Sequence, residues 1–427
     1  MLDRKFVLEN LAAVRANCEH RGMSAELDQL VALDEQRRAK LADVQELNRQ
    51  ANEVSKTIGQ AKDPDERERR KDEGRRLRDA KDAAQQDHDR LDAEVHAILR
   101  TIPNMAHPDA PIGGDDTSNL EVRQGSTAPR SFDFPALDHV ELGKRLDLID
   151  FEGGARTSGA GFYFLKNEGV LLDLALQRFA IAELMKRGFQ PTITPDLAQN
   201  SILEGIGFMP RGPETQVYSI EHSDLSLIGT AEITLGGLYS GHVFDADQLP
   251  LRLCGISHCY RTEAGAAGRA SRGLYRVHQF TKVEMFAYTT PEQSDALHDE
   301  LCQIECDLFD ALGIPYRVVD TATGDLGAPA YRKFDLEAWM PGRGEAGEYG
   351  EVTSTSNCTD FQARRLDIRF KNKGEKGTHF VHTLNGTAIA LSRAIIAVLE
   401  NYQEADGSIT VPEVLRGWMG MDRIGPR

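Results

Sequence analysis

Between Cys259 and Glu284 the chain sets charged residues, Arg261, Glu263, Arg276 and Glu284 among them, beside apolar and glycine neighbours. The run reads as a strand, a Gly- and Arg-rich loop and a returning strand. Alternation along the second strand puts Phe280, Lys282 and Glu284 on one face. A plain surface hairpin would not need these charges among so many apolar residues, because an unpaired buried charge is costly. The chain has no GxxxxGK[ST] loop, no strand-anchored GxGxxG and no HExxH helix. If it handles a nucleotide, side chains must hold the phosphates, chiefly arginines, whose planar forks match phosphate and carboxylate.

Positioning such a set requires a sizeable scaffold, and 427 residues suffice for two or three domains. Residues 1–105 are poor in aromatics and nearly free of glycine. Leu30, Val44, Ala51 and Ile58 share one heptad position and Leu33, Leu47 and Val54 the other, with Arg37 and Lys40 interrupting the seam. Asp63-Pro64-Asp65 breaks the helix. Leu77, Ala84, Leu91 and Ile98 then recur seven apart. Two heptad helices joined by a turn predict an antiparallel coiled-coil hairpin. Its basic segment carries Arg69, Arg70, Arg75 and Arg76, which would read as a solvated helix face or as a phosphate-binding surface.

Residues 106–135 are polar and Pro/Gly-rich and read as linker and loops. Residues 136–427 mix strands and helices without regular βαβ alternation, so the fold class is α+β with an antiparallel sheet flanked by helices. Strands are expected at 251–260 and 279–288, and helices at 169–187 and 385–401.

The bulk numbers exclude some classes. No apolar run is long enough for a membrane span, and the N-terminus lacks a signal-peptide core, so the expected location is cytoplasmic. The six cysteines form no CxxC pair and no tetrad, so no structural zinc is expected. A net charge of −17 does not exclude RNA, because binding depends on local basic patches.

Tyr260-Arg261-Thr262-Glu263 resembles motif 2 of the class II aminoacyl-tRNA synthetases. Thr194-Pro195, after Arg187-Gly188-Phe189, resembles the end of motif 1, and Leu384-Asn385-Gly386-Thr387-Ala388 with Ser392-Arg393 resembles motif 3. Gly229-Thr230-Ala231-Glu232, the run from Glu351 to Arg365 and the N-terminal hairpin resemble the seryl branch. The likeness covers essentially the whole chain. It departs slightly at Thr353, where serine is frequent, and in a longer loop at Gly342–Gly347.

The resemblance implies activation of L-serine by ATP and transfer to tRNA(Ser), with tRNA(Sec) also charged where present. It implies catalytic roles for Arg261, Arg276 and Arg393. The serine site would comprise Thr230, Ala231, Glu232, Arg261, Glu284, Asn385 and Thr387, with Glu284 on the ammonium. ATP would meet Arg261, Thr262, Glu263, Val277, Phe280, Glu351, Val352, Thr353, Ser354 and Arg393. Glu351 and Ser354 would hold Mg²⁺, whose preference for oxygen ligands suits them. A homodimer joined through motif 1 is implied as well. A non-catalytic tRNA-binding relative is the first alternative, and the intact Arg261, Glu263, Glu284, Glu351 and Arg393 argue against it. A ligase acting on a carrier protein is the second, and the arm argues against that.

Overall fold

The structure is a computed structural model that describes residues 1–208, 216–263 and 273–426. Ala264 and Gly265, which end the motif 2 run, lie outside the described residues. The chain forms two compact units, Met1–Pro103 and Asn104–Arg427.

The first unit is built on α1 (Leu27–Ile58) and α2 (Pro64–Thr101). Pro64 opens the second helix, a position where a missing N–H is harmless, and the Asp63 side chain caps it by accepting from the Asp65 N–H. Leu30, Leu33, Ala84, Leu91, Val95 and Leu99 are buried in the seam. Arg37 and Lys40 do not break this seam. They cross it, Arg37 reaching Asp92 at 3.6 Å and Lys40 reaching Asp87 at 3.0 Å. These pairs fix the antiparallel register, because each cation meets one carboxylate on the facing helix.

The second unit centres on an eight-stranded sheet. In chain order its elements are β1 (Leu120–Gln124), α3 (Glu168–Lys186), β2 (Gln190–Ile193), α4 (Ala231–Gly237), β3 (Leu251–Tyr260), β4 (Gln279–Thr289), α5 (Ser294–Leu312), β5 (Tyr316–Asp320), β6 (Arg332–Met340), β7 (Glu348–Asn357), α6 (Phe361–Leu366), β8 (His382–Ala390) and α7 (Leu391–Asn401). The strand order is β1-β5-β6-β7-β8-β4-β3-β2, antiparallel except for the pairing of β2 with β3.

Two expectations need correction. The stretch read as linker supplies β1, whose side chains are all exposed because the strand forms a sheet edge. Residues 385–390, read as the start of a helix, form the end of β8. This segment lies between β7 and β4 and is mostly buried, and a short buried apolar run carries no helix or strand period to tell the two apart.

Alternation along β4 divides two cores. Val283, Met285 and Ala287 enter a large core with α3, α5 and α7. Phe286 and Tyr288 enter a second core with α4 and α6 on the opposite face. The second core covers only part of its face. Further along the same face of β4 stand Glu284, Lys282 and Phe280, and there the site opens. Among the described residues no helix is long and apolar enough to cross a membrane.

Candidate active site

Two cavities adjoin on the open part of the sheet. One is lined by Arg261, Glu263, Arg276, Val277, Phe280, Glu351 to Ser354 and Arg393. The other is lined by Thr230, Glu232, Arg261, Glu284, Asn385 and Thr387 among others. Arg261, Lys282, Ser354 and Thr387 line both. Of the serine- and ATP-site candidates, Ala231 and Thr262 line neither. Ala231 is fully buried, packed where a Cβ on Gly255 would lie 2.8 Å from its own Cβ. That glycine lets α4 approach the sheet and bring Glu232 to the cavity.

Arg261 follows β3. Its Nε donates to the Gly229 carbonyl at 3.2 Å, and its guanidinium lies 5.4 Å from the Phe280 ring centroid. His278 helps fix this position, since the Arg261 N–H donates to its carbonyl and its Nδ1 lies 2.9 Å from the Arg261 carbonyl. Glu263 takes a left-handed backbone at φ 50°, uncommon for a side-chain-bearing residue, and pairs with Arg276 at 2.8 Å.

Arg393 donates to the Glu351 carbonyl at 2.9 Å and meets the Glu351 carboxylate at 3.2 Å. Its guanidinium also lies 4.7 Å from the Tyr275 centroid. Burial pushes the Glu351 carboxyl upward, but Arg393, Lys333 and Arg261 outweigh it and hold the group at about 2. Glu351 is therefore ionised at neutral pH. Glu351 and Ser354 are three apart, so simple alternation would place them on opposite faces. The register shifts between Leu336 and Glu337 of β6, opposite Glu351 to Thr353, and this bulge brings both to the first cavity. A carboxylate and a hydroxyl on one face form an oxygen set that fits a magnesium ion. Thr353 lines the same cavity, but its hydroxyl donates to Glu305 at 3.0 Å, beneath the sheet.

The second cavity holds a dense polar network. Glu284 is buried and meets the equally buried Lys282 at 2.5 Å, with Thr387 donating to the same Glu284 oxygen at 3.3 Å. Oε1 of Glu232 accepts from Gln362 at 2.7 Å and from Asn385 at 3.0 Å. Burial and the neighbouring Glu284 push the Glu232 carboxyl up to about 7. Thr230 caps α4, its hydroxyl accepting from the Glu232 N–H at 3.2 Å. Lys282 and Gln362 were not among the sequence candidates. Lys282 shares a strand face with Glu284, and Gln362 sits inside the Glu351–Arg365 run, so both had a signal.

In the first unit, Arg75 pairs with Asp72 at 2.6 Å and Glu68 at 3.2 Å, and Arg70 pairs with Glu66. Arg69 donates to the Asp65 carbonyl at 3.3 Å, and Arg76 is exposed. Among the described residues no group of three or more His, Cys, Asp and Glu is placed to hold a metal ion.

Comparison with known proteins bears on both units. The seryl-tRNA synthetase N-terminal domain family matches residues 1–106, and the tRNA synthetase class II core domain (G, H, P, S and T) family matches residues 216–402. The serine–tRNA ligase of Rhodopirellula baltica is 61% identical over 422 residues, covering 99% of each chain. That of Treponema denticola is 56% identical over 427 residues, covering all of both. The crystal structure of seryl-tRNA synthetase from Pyrococcus horikoshii complexed with ATP superimposes with a TM-score of 0.93 at 38% identity, covering 100% of each chain.

Proposed function

The chain belongs to the seryl-tRNA synthetase family, and from that premise we propose which of its residues carry each part of the reaction. The enzyme activates L-serine with ATP to seryl-adenylate and transfers serine to tRNA(Ser). Charging of tRNA(Sec), where a cell contains it, and a cytoplasmic location are parts of the proposal.

The observation that carries the assignment is Arg261 at the junction of two cavities. Adenylation brings the serine carboxylate against the α-phosphate of ATP, two anions. An O–P bond forms, the bond to the β-phosphate side breaks, and pyrophosphate leaves. A fixed guanidinium at that junction stabilises the charge gathering on the phosphate oxygens, contributing roughly 3–4 kcal/mol to the transition state. ATP takes the cavity of Glu263, Phe280 and Arg393. Phe280 stacks on adenine, the Val277 backbone lies along it, and Glu263 accepts from its amino group. Arg276 then turns to the phosphates, and Arg393 holds the γ-phosphate end. Glu351 and Ser354 would hold Mg²⁺, which would supply neutralisation of phosphate charge when bound.

Serine takes the second cavity. Glu284 receives the ammonium, and Glu232, Thr387 and Asn385 surround the hydroxyl, with Thr230 closing the pocket. A site built to hydrogen-bond a hydroxyl rejects alanine by leaving buried polar groups unpaired. In the second step the terminal tRNA hydroxyl attacks the carbonyl carbon, its proton passes to a phosphate oxygen and AMP leaves.

Residues 1–105 form the tRNA-binding arm, with Arg69, Arg70, Arg75 and Arg76 facing phosphates. The protein pairs as a homodimer through motif 1. Val170, Leu171, Leu174 and Met185 of α3 and Ile193 at the sheet edge are exposed, and an edge strand beside an apolar helix face favours a second copy. Serine-dependent exchange of pyrophosphate into ATP, followed by transfer to tRNA, tests the whole scheme. Exchange that survives Arg261→Ala at the wild-type rate would overturn the central assignment.

A further inference from the structure

We propose that Gln362 is the positioning residue that fixes which oxygen of Glu232 meets the serine hydroxyl, and so sets selectivity for serine over alanine. The proposal rests on the reading of Glu232 as the hydroxyl's partner.

The geometry is over-determined. Gln362 is fully buried on α6 and does not line either cavity. Its Nε2 donates to Glu232 Oε1 at 2.7 Å and to the Ile206 carbonyl at 3.1 Å. Its Oε1 accepts from the Thr383 hydroxyl at 2.7 Å. The amide cannot flip, because a flip would set its oxygen against a carbonyl and a carboxylate. Asn385 brings a second donor to the same Glu232 oxygen at 3.0 Å. With two N–H groups on Oε1, a proton on Glu232 belongs on Oε2, the oxygen left for the cavity. One carboxyl is thereby made directional. Its bound oxygen faces α6 and β8, and its other oxygen is presented to a ligand, as an acceptor when ionised and as a donor when protonated.

The charged neighbours make this orientation matter. Besides burial, Glu284 raises the proton affinity of Glu232, while the Gln362 hydrogen bond, Lys282 and Arg261 lower it. Gln362 is thus the largest influence keeping the carboxylate form within reach at neutral pH. Loss of its N–H should release the side chain and shift Glu232 toward the protonated acid. Alanine has no hydroxyl to meet either form, so its use should be indifferent to the change.

Pyrophosphate exchange by the full-length enzyme, with serine and with alanine as probes, tests this from mildly acidic to mildly alkaline pH. Gln362→Met should lower kcat/KM for serine by roughly 10- to 100-fold, the range for a lost hydrogen bond to a charged group. Alanine and the KM for ATP should not change, and the ionisation seen in the serine profile should move to higher pH. Gln362→Glu should restore selectivity at acidic pH, where the new acid can still donate to Glu232, and lose it as the pH rises and the two carboxyls compete. A folded Gln362→Met enzyme with the wild-type serine-to-alanine ratio and profile would overturn the proposal, as would equal losses for serine, alanine and ATP. If Gln362→Met does not fold, pH-independent selectivity in Gln362→Glu overturns it. Glu232→Gln separates the two levels. A wild-type ratio in Glu232→Gln removes the underlying reading, whereas a collapsed ratio there beside an unaffected Gln362→Met removes only the role of Gln362.

Discussion

Charge does opposite work in the two units. In the helical hairpin, many ionic side chains are exposed, and several pair with carboxylates three or four residues away on their own helix, as Arg49 does with Glu46 and Glu53. Such pairs contribute about 0–1 kcal/mol and are weakened by salt. In the catalytic unit, Lys282, Glu284 and Arg393 are largely removed from solvent, and each touches groups from other strands or helices. Breaking one such pair leaves an uncompensated buried charge. The exposed charges of the hairpin are therefore individually exchangeable, whereas those of the site are not. Asp34 and Arg37 of the hairpin are the exception, both buried and paired at 3.0 Å.

The largest test of this contrast is Arg261→Ala. One guanidinium serves both cavities, so exchange should fall by roughly 10²–10³-fold while the fold and the arm are unaffected. Measured kcat/KM for exchange decides it, and a loss under tenfold would place the adenylation charge elsewhere.

Glu305→Gln follows. Burial pushes the Glu305 carboxyl well above the ordinary range, and the hydrogen bond it accepts from Thr353 offsets only part of this. The folded chain then keeps a proton that the unfolded chain releases, so stability is fully present below the ordinary carboxylate range and declines as pH rises toward the folded value. The slope is up to about 1.4 kcal/mol per pH unit for one proton. The substituted amide cannot ionise, so the variant should lose this slope and gain on the wild type at alkaline pH, as read by urea unfolding at several pH values. Parallel pH curves would show that the group is not held neutral.

These predictions depend on contacts that the sequence disclosed unevenly. The hairpin was legible because heptads and a single proline fix two helices, and Arg261, Glu284 and Arg393 were legible because of their motif runs. The helix boundary at 385–401 was misread because β8 and α7 are both apolar and buried, and the turn from one to the other at Ala390 carries no glycine or proline. Gln362 escaped because its importance lies in contacts to Glu232, Ile206 and Thr383, which come from distant parts of the chain. The convergence of Glu351 and Ser354 depends on a bulge, and bulges leave no period in a sequence.

A smaller effect is expected from the arm. Replacing Arg69, Arg70, Arg75 and Arg76 with glutamine should raise the tRNA KM and lower the salt slope by roughly one for each phosphate no longer neutralised. Exchange should be unchanged, since the arm contributes nothing to either cavity lining. The existing pairs of Arg70 and Arg75 are weak enough to exchange a carboxylate for a phosphate. An unaltered tRNA KM would reduce these arginines to a solvated helix face.

The smallest effect concerns a side chain that is missing from the hairpin seam. Gly74 is buried inside α2, and a Cβ there would meet Val54 Cγ1 at 3.7 Å and Ile58 Cδ1 at 4.0 Å, ordinary contact distances. Its backbone is helical, so it needs none of glycine's freedom, and glycine in a helix interior costs about 1 kcal/mol relative to alanine. Gly74→Ala should stabilise the arm by about that amount, measured as a rise in its unfolding midpoint with exchange untouched. Gly255 of the sheet is the counterpart, because its Cβ would lie 2.8 Å from both Ala231 Cβ and Leu235 Cδ1, so α4 would have to move. The same substitution thus has opposite signs in the two units. A hairpin seam with half-buried positions has room for a methyl group, and a helix set directly on the sheet to present Glu232 does not. If Gly74→Ala lowered the midpoint instead, the seam near Val54 and Ile58 would be as tightly packed as the sheet, and the contrast between the units would rest on charge alone.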